Sequence, residues 1–438
     1  MRRKIKNKGK LADSSSALEI QKQKMKSIAT PKVDVDLSNQ ILISSGIDAI
    51  QKFNQLSKGK SAVEPSNDNT DQMDVDAMAI HFSEVILMDI LSRLPVKSLL
   101  RFKCVSKFWE KLISDPYLKM KHLNRAKNDQ DSQKLLTSLR CRNNGICSMY
   151  CCPLSPVQLV EDVQKLDFPS NPTPFPCTIH CCYDGLAVME VPGNLNEDTT
   201  FLLWNPSTRE SIELPSPEFR LNKSSSFGLG YDSTSSEYKI VQIFQNMDLP
   251  CEIFVLKGGS WKRSVKHPHG IYSLMFAVQF LTFAHAAFHW IGMSRNHAVM
   301  VSFSILNEVH GEIPLPEEIS VSDVIGVTLL DGMLSLHSNR PYDQSNSTIK
   351  LWVLKEYGIK KSWIPFLSIE DPYIVYAIPK YRFPDGEVLF MCLVGGSLRT
   401  LSGPFGAWPE GHTLLEAHAF TESLISPRSP VFGVQCHL

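Results

Sequence analysis

Apolar positions change their spacing twice along this chain of 438 residues, and the changes divide it into three parts. Up to residue 78 they are sparse, with Phe53 the single aromatic residue. Across HFSEVILMDILSRLPVKSLLRFKCVSKFWEKLISDPYLKM, residues 81 to 120, they are dense and recur at helical spacing. Val85, Ile86, Met88, Ile90 and Leu91 leave almost no polar face on a first helix, Ser83 is placed as its N-cap, and Leu94-Pro95 stops it. Pro95 presets the turn into a second helical run through Leu99, Leu100, Phe102, Val105, Phe108, Trp109, Leu112 and Ile113, which Asp115-Pro116 ends. Two or three short helices result. A module of about forty residues rarely builds enough core to stand alone, so part of this apolar surface is expected to be covered by something else.

Residues 124 to 140 read as a charged and polar connector, with a helical stretch near Leu135 to Leu139. Beyond them the spacing becomes that of strands. LRCRNNGICSMYCC, VQLVEDVQKLDF, FLLWNPSTRESIEL, EYKIVQIF, CEIFVLK, AVMVSFSIL and IKLWVLKEY are short β-rich runs separated by Gly, Pro, Asn, Asp and Ser. The runs repeat. Asp184-Gly185, Asp232, His285, Asp331-Gly332 and Asp385-Gly386 follow one another at 48, 53, 46 and 54 residues. IFVLKGGSW from Ile253 returns as LWVLKEYGIKKSW from Leu351, 98 residues later. A period near 50 residues with several strands per unit predicts propeller blades of kelch type, leaving blade number and ring closure open. Asp-Gly suits a tight turn, because Gly accepts positive φ and Asp bonds the following backbone. Trp204, Trp261, Trp290, Trp352 and Trp363 fall in or beside these strands, where packing between blades is the expected role.

Formal net charge is zero, so no global field favours nucleic acid. Charge is uneven only at the front: residues 1 to 32 hold ten Lys or Arg against two acids, and residues 64 to 76 hold five acids and no base. This composition predicts a disordered tail over residues 1 to 78. Eleven cysteines come without an apolar leader at the N-terminus, which suggests reduced thiols in the cytoplasm or nucleus and unused sequons at Asn222 and Asn346. Gly270 to Met293 carries no formal charge and is long enough to cross a bilayer, yet it contains Gln279, His285 and His289 and fills a repeat slot. Buried strands, and no membrane span, are expected there.

Seven cysteines, Cys141, Cys147, Cys151, Cys152, Cys177, Cys181 and Cys182, and His180 lie within 42 residues. Zinc favours two short-spaced pairs, whereas adjacent cysteines in a strand point to opposite faces, so buried thiols and no metal are expected. No G-x-S-x-G, H-E-x-x-H or phosphate-binding glycine loop is present, and no catalytic residue or cofactor is expected.

The unbroken string LSRLPVKSLLRFKCVSKFWEKLISDPY resembles the F-box of plant substrate receptors in Skp–cullin–F-box ubiquitin ligases. Phe82-Ser83 stands where that family usually has Leu-Pro. CYDGL, LLWNPSTRE, FGLGYDSTSSEYKIV, AAFHWIG and VSFSILNEVHGEIPLP, in this order, resemble the F-box-associated interaction domain. The expected fold is a multidomain α+β chain. A disordered tail (1–78) precedes a helical F-box (79–123) and a connector (124–140), and an all-β, propeller-like, kelch-type domain (141–430) follows. The resemblance implies a non-catalytic receptor that binds a Skp-type adaptor, and through it a cullin, and holds a target protein on the β domain. The alternative is a propeller scaffold outside any ligase. Adaptor contact is expected at Ile90, Leu91, Leu94, Pro95, Val96, Leu99, Leu100, Val105, Trp109 and Ile113, some of which would form the module's own core.

Overall fold

The computed structural model describes residues 84–155, 160–168, 177–193, 199–217, 225–244, 251–264, 272–273, 281–294, 297–319, 324–339, 348–371, 374–394, 397–401 and 408–428. The tail, Phe82-Ser83 and both sequons lie outside them. Among the described residues four helices come first: α1 Glu84–Leu91, α2 Val96–Lys103, α3 Lys107–Ser114 and α4 Pro116–Ala126. The long second run of the sequence is therefore two helices. Ser106 divides them, accepting the Trp109 N–H at 3.4 Å as N-cap. Asp115-Pro116 ends α3 and also starts α4, because the Asp115 carboxylate accepts the N–H groups of Tyr117 and Leu118 at 2.8 and 3.3 Å while Pro116 occupies the first turn.

Among the described residues six antiparallel sheets follow. The first joins β1 Gln133–Cys141, β2 Cys147–Pro153 and β3 Gln164–Lys165 to the last described strand, β24 His412–Thr421. The second is β4 Thr178–Tyr183, β5 Leu186–Val191, β6 Thr200–Trp204 and β7 Ser211–Leu214, and the third is β8 Ser225–Asp232, β9 Glu237–Phe244, β10 Glu252–Val255 and β11 Ser260–Arg263. The fourth holds β12 Tyr272–Ser273, β13 Thr282–Ala284, β14 Ala287–Ser294, β15 His297–Ser304 and β16 His310–Ile313. β17 Val324–Leu330, β18 Met333–Asn339, β19 Thr348–Leu354 and β20 Trp363–Glu370 make the fifth, and β21 Ile374–Arg382, β22 Val388–Val394 and β23 Ser397–Leu401 the sixth. Strands β24, β4, β8, β13, β17 and β21 lie side by side in that order and β21 returns to β24, so the sheets are the blades of a closed propeller.

Residues 133 to 141 correct the sequence reading. The expected helix near Leu135 to Leu139 is β1, clamped between β2 and β24 with Gln133 opposite Thr421 and Cys141 opposite His412. The ring is closed by pairing the two ends of the β domain in one blade. The repeat reading holds in detail: all five slots are the hairpin that follows the innermost strand (β4, β8, β13, β17 or β21) of blades two to six. Asp184-Gly185 (φ 52° and 79°) and Asp331-Gly332 (49° and 74°) have both turn residues left-handed, and His285-Ala286 (50° and 55°) makes the same turn without glycine. Asp232 instead organises a four-residue loop by accepting from the Thr234 and Ser235 N–H groups.

Apolar faces pack between neighbouring blades, as they must when each sheet is too small to bury its own. Val188, Phe201, Phe227 and Ile240 fill the interface of blades two and three, and Ile291, Met300, Leu336 and Trp352 that of blades four and five. The two repeated motifs end in tryptophans with one role. Trp261 donates its indole N–H to the Pro215 carbonyl at 2.7 Å and Trp363 to the Pro314 carbonyl at 2.9 Å, each reaching the exit of the preceding blade. Within Gly270 to Met293 the described residues form β12, β13 and β14 with the His285-Ala286 turn, and among the described residues no helix is long and apolar enough to cross a membrane.

Candidate functional site

The helical module buries one set of the expected contact residues and displays another. Leu91, Leu94, Val96, Leu99, Trp109 and Ile113 are buried, together with Leu112 and Leu118, and hold the four helices together. His122 bonds the Leu94 carbonyl at 3.0 Å, fixing the α1–α2 turn onto α4, and burial keeps its imidazole neutral by lowering its pKa. Asp89 on α1 reaches Lys121 of α4 at 3.0 Å and Arg93 at 2.7 Å; these cations hold its carboxyl down near 2.

Of the remaining expected residues, Pro95 and Val105 are exposed, while Ile90 and Leu100 are half-buried. Four further apolar residues of the module are exposed, Val85, Ile86, Phe108 and Tyr117. Val85 is 71% exposed, Ile86 49%, Val105 50%, Phe108 51% and Tyr117 46%. Phe108 stands edge-on to Trp109, whose indole braces it from the core with ring centroids 5.6 Å apart. Periodicity finds such residues as apolar positions, and only the break at Ser106 decides which of them turn outward.

The other end of the module is seated on the propeller. Leu123 and Met120 of α4 join the core between blades two and three. Gln133 donates to the Ala126 carbonyl at 2.7 Å, and Lys127 pairs with Asp184 at 2.6 Å while its ammonium lies 5.5 Å from the Tyr183 ring centroid. Helices and blades therefore belong to one packed body, and the connector has no length over which to flex.

The cysteines bear out the strand argument. Cys151 packs between blades one and two whereas Cys152 faces blade six; Cys181 faces blade three whereas Cys182 faces blade one. Burial pushes Cys151, Cys152, Cys177 and Cys181 up to about 12. Among the described residues no group of three or more His, Cys, Asp or Glu is placed to hold a metal ion.

Comparison with known proteins agrees with this architecture. The F-box domain matches residues 80–121 and the F-box associated beta propeller domain matches residues 134–373. The chain belongs to the F-box proteins that carry this propeller domain. It is 30% identical over 328 residues to the F-box protein CPR1 of Arabidopsis thaliana, covering 68% of this chain and 75% of that one. An F-box/kelch-repeat protein of Arabidopsis thaliana is 24% identical over 364 residues, covering 78% of this chain and 94% of its own length.

Proposed function

We propose that the chain is the substrate-recognition subunit of a Skp–cullin–F-box ubiquitin ligase. It binds a Skp-type adaptor through the helices, is joined to a cullin by that adaptor, and holds a target protein on the propeller. The observation that carries this reading is the exposed apolar set Val85, Ile86, Val105, Phe108 and Tyr117 on a module whose interior is otherwise packed. Fully covering an exposed side chain is worth about 1.5 to 3 kcal/mol, and about half of that where half of it is already buried, so the set together suffices for docking. The buried residues of the expected list act indirectly, by holding the helices that present this set.

The role is positional. Because α4 is fixed to blades two and three, a target on the propeller would be held at a set distance from the adaptor, which raises the effective concentration of its lysines near charged ubiquitin. No residue of this chain needs to react. The proposed setting is the cytoplasm or nucleus, with neither nucleic acid nor membrane as partner. Affinity purification of the tagged chain, compared with Val105→Asp/Phe108→Asp, tests the proposal. Adaptor and cullin should co-purify with the wild type and be lost with the variant, while the propeller's thermal transition stays. Absence of both from the wild-type preparation would leave a propeller scaffold outside any ligase.

A further inference from the structure

The excess of cations is not confined to the tail. Residues 84 to 128, which form the helical module and its exit, hold ten Lys or Arg against four Asp or Glu, in a chain whose formal net charge is zero. Three of the four carboxylates are already engaged. Asp89 pairs with Arg93 at 2.7 Å and with Lys121 at 3.0 Å, Glu110 pairs with Lys107 at 2.9 Å, and Asp115 caps α4. The fourth, Glu84, stands in the first turn of α1. Lys97 and Arg101 of α2 and Lys111 of α3 are exposed and, among the described residues, take part in no ion pair.

The helices place these three cations around the exposed apolar residues. Arg101 lies one turn before Val105, Lys97 one turn before Arg101, and Lys111 one turn after Phe108, spacings at which side chains on a helix are neighbours, about 5 to 6 Å apart at Cβ. Lys103 adds to the same field: after burial, its charge is the next cause that lowers the pKa of Lys119 on α4. A surface that covers Val105 and Phe108 therefore comes within the Debye length, about 10 Å at 0.1 M salt, of all three cations. A basic face would meet like charge there, and an acidic one is attracted before any contact is made.

We infer that the partner's face that covers Val105 and Phe108 is acidic, and that Lys97, Arg101 and Lys111 steer it into place. The cations set the rate of association and the apolar residues the residence time. This inference rests on the adaptor reading of the module and adds to it the chemistry of the adaptor's face. Cations at an exposed rim keep their water, so they act over distance and contribute little once the surfaces have met, whereas Val105 and Phe108 act only in contact. A nucleic acid would answer the charge but would leave Val85, Ile86 and Val105 without an apolar counterpart.

The test is stopped-flow association of the full chain with a purified Skp-type adaptor, at salt between about 50 and 500 mM. The wild-type association rate should fall by about tenfold or more over that range, while the dissociation rate moves by less than about twofold. Lys97→Glu/Arg101→Glu/Lys111→Glu should associate about tenfold or more slowly at the lowest salt and lose that salt dependence. Phe108→Ala should dissociate faster, with an association rate within about twofold of wild type. An adaptor that binds at a rate indifferent to salt and to charge reversal overturns the inference and leaves the docking reading standing; an adaptor that does not bind the wild type overturns both. Tighter binding of a single-stranded RNA of about 20 nucleotides than of the adaptor, at about 150 mM salt, would make this face a nucleic-acid site and also overturns the inference. Should the triple variant fail to fold, Lys97→Gln and Lys111→Gln, each at an exposed position, take its place, and each should slow association by about twofold at the lowest salt.

Discussion

The ammonium of Lys127, the C-cap of α4, lies 2.6 Å from the carboxylate of Asp184, a left-handed residue in the first hairpin turn of blade two. Asp184 also accepts from the Tyr238 hydroxyl at 3.0 Å, and its carbonyl accepts from Ser423 at 2.8 Å. One turn residue thus receives the helical module, the next blade and the C-terminal segment. The Asp184 side chain is 4% exposed and that of Lys127 41%, so the pair is worth less than a fully buried one. A double-mutant cycle with Lys127→Met and Asp184→Asn should give a coupling of about 1 to 2 kcal/mol. Additive losses would mean that the seat of the helices rests on Leu123, Met120 and the Gln133–Ala126 hydrogen bond.

The split of the helical module into buried and exposed apolar residues predicts two kinds of variant. Leu99→Ala, at a fully buried site, should cost about 2 to 5 kcal/mol and unfold the module. Phe108→Asp, at a position 51% exposed, should leave stability within about 0.5 kcal/mol and lower adaptor affinity by at least tenfold. Chemical denaturation and adaptor titration read the two effects separately. An adaptor affinity unmoved by Phe108→Asp would place the docking surface elsewhere.

The hairpins of blades two and five were legible because a turn with two left-handed residues selects Asp-Gly, as at Asp184-Gly185 and Asp331-Gly332. His285-Ala286 shows the limit of that signal: the same φ values occur at a pair that no turn preference names. β1 was misread as part of a connector because the strand that pairs with it, β24, lies at the other end of the β domain. A strand is recognised by its own alternation, and QKLLTSLRC carries five consecutive buried positions, so its period is lost. The burial of Leu91, Val96 and Ile113 was open for a related reason. Short helices with apolar residues on several faces do not show which face turns inward until the breaks at Pro95, Ser106 and Asp115 set the helix directions.

The thiols should sort by burial rather than by metal. Cys104 is exposed, whereas Cys151, Cys177 and Cys181 are pushed up to about 12 by burial. Native alkylation with iodoacetamide at pH 8, followed by peptide mass mapping, should modify Cys104 far faster than these three. Elemental analysis of the reduced protein should find no stoichiometric zinc. One zinc per chain, lost on Cys177→Ser, would overturn the buried-thiol reading.

Acid should weaken the fold through buried histidines. The Nδ1–H of His289 donates to the Thr282 carbonyl at 3.3 Å, which leaves Nε2 to accept from the Tyr357 hydroxyl at 2.9 Å; the ring is neutral in this arrangement. Burial lowers His289 from 6.5 to about 4 and His337 to about 3. Between pH 4 and 6.5 the unfolded chain therefore binds protons that the native state excludes, so stability rises with pH across that window and is lost as pH falls through it. Glu416, raised from 4.5 to about 7, acts in the opposite sense between 4.5 and 7, where only the native state holds its proton. His289→Gln should reduce the slope of stability against pH by up to about 1.4 kcal/mol per unit near pH 5, and Glu416→Gln should steepen it. Urea melts at pH 4.5, 5.5 and 6.5 measure both, and an unchanged slope in His289→Gln would assign the acid sensitivity to other groups.

Closure of the ring offers a last prediction, at a residue of the LLWNPSTRE motif. Asn205 is fully buried at the end of β6, and all of its side-chain amide is used. Its Oδ1 accepts the N–H groups of Ser207 and Thr208 at 2.8 and 3.2 Å, which shapes the turn into β7. Its Nδ2 donates to the carbonyls of Ser423 and Ile425 at 3.0 and 2.7 Å, beyond the last strand. The residue thus ties the segment that follows β24 to blade two, on the side away from the blade that β24 completes. Leaving a buried polar group unpaired costs about 1 to 3 kcal/mol, so Asn205→Ala, which strands two carbonyls and two N–H groups, should destabilise the propeller by several kcal/mol. Asn205→Asp keeps the acceptor for Ser207 and Thr208 but sets a carboxylate against two carbonyls, and should be at least as damaging. Hydrogen exchange of the full chain locates the loss: protection should fall first in β24 and in β1, its partner across the closure, ahead of β9 and β14. Uniform loss across all blades would show that the ring has no weakest seam and that Asn205 serves only its own turn.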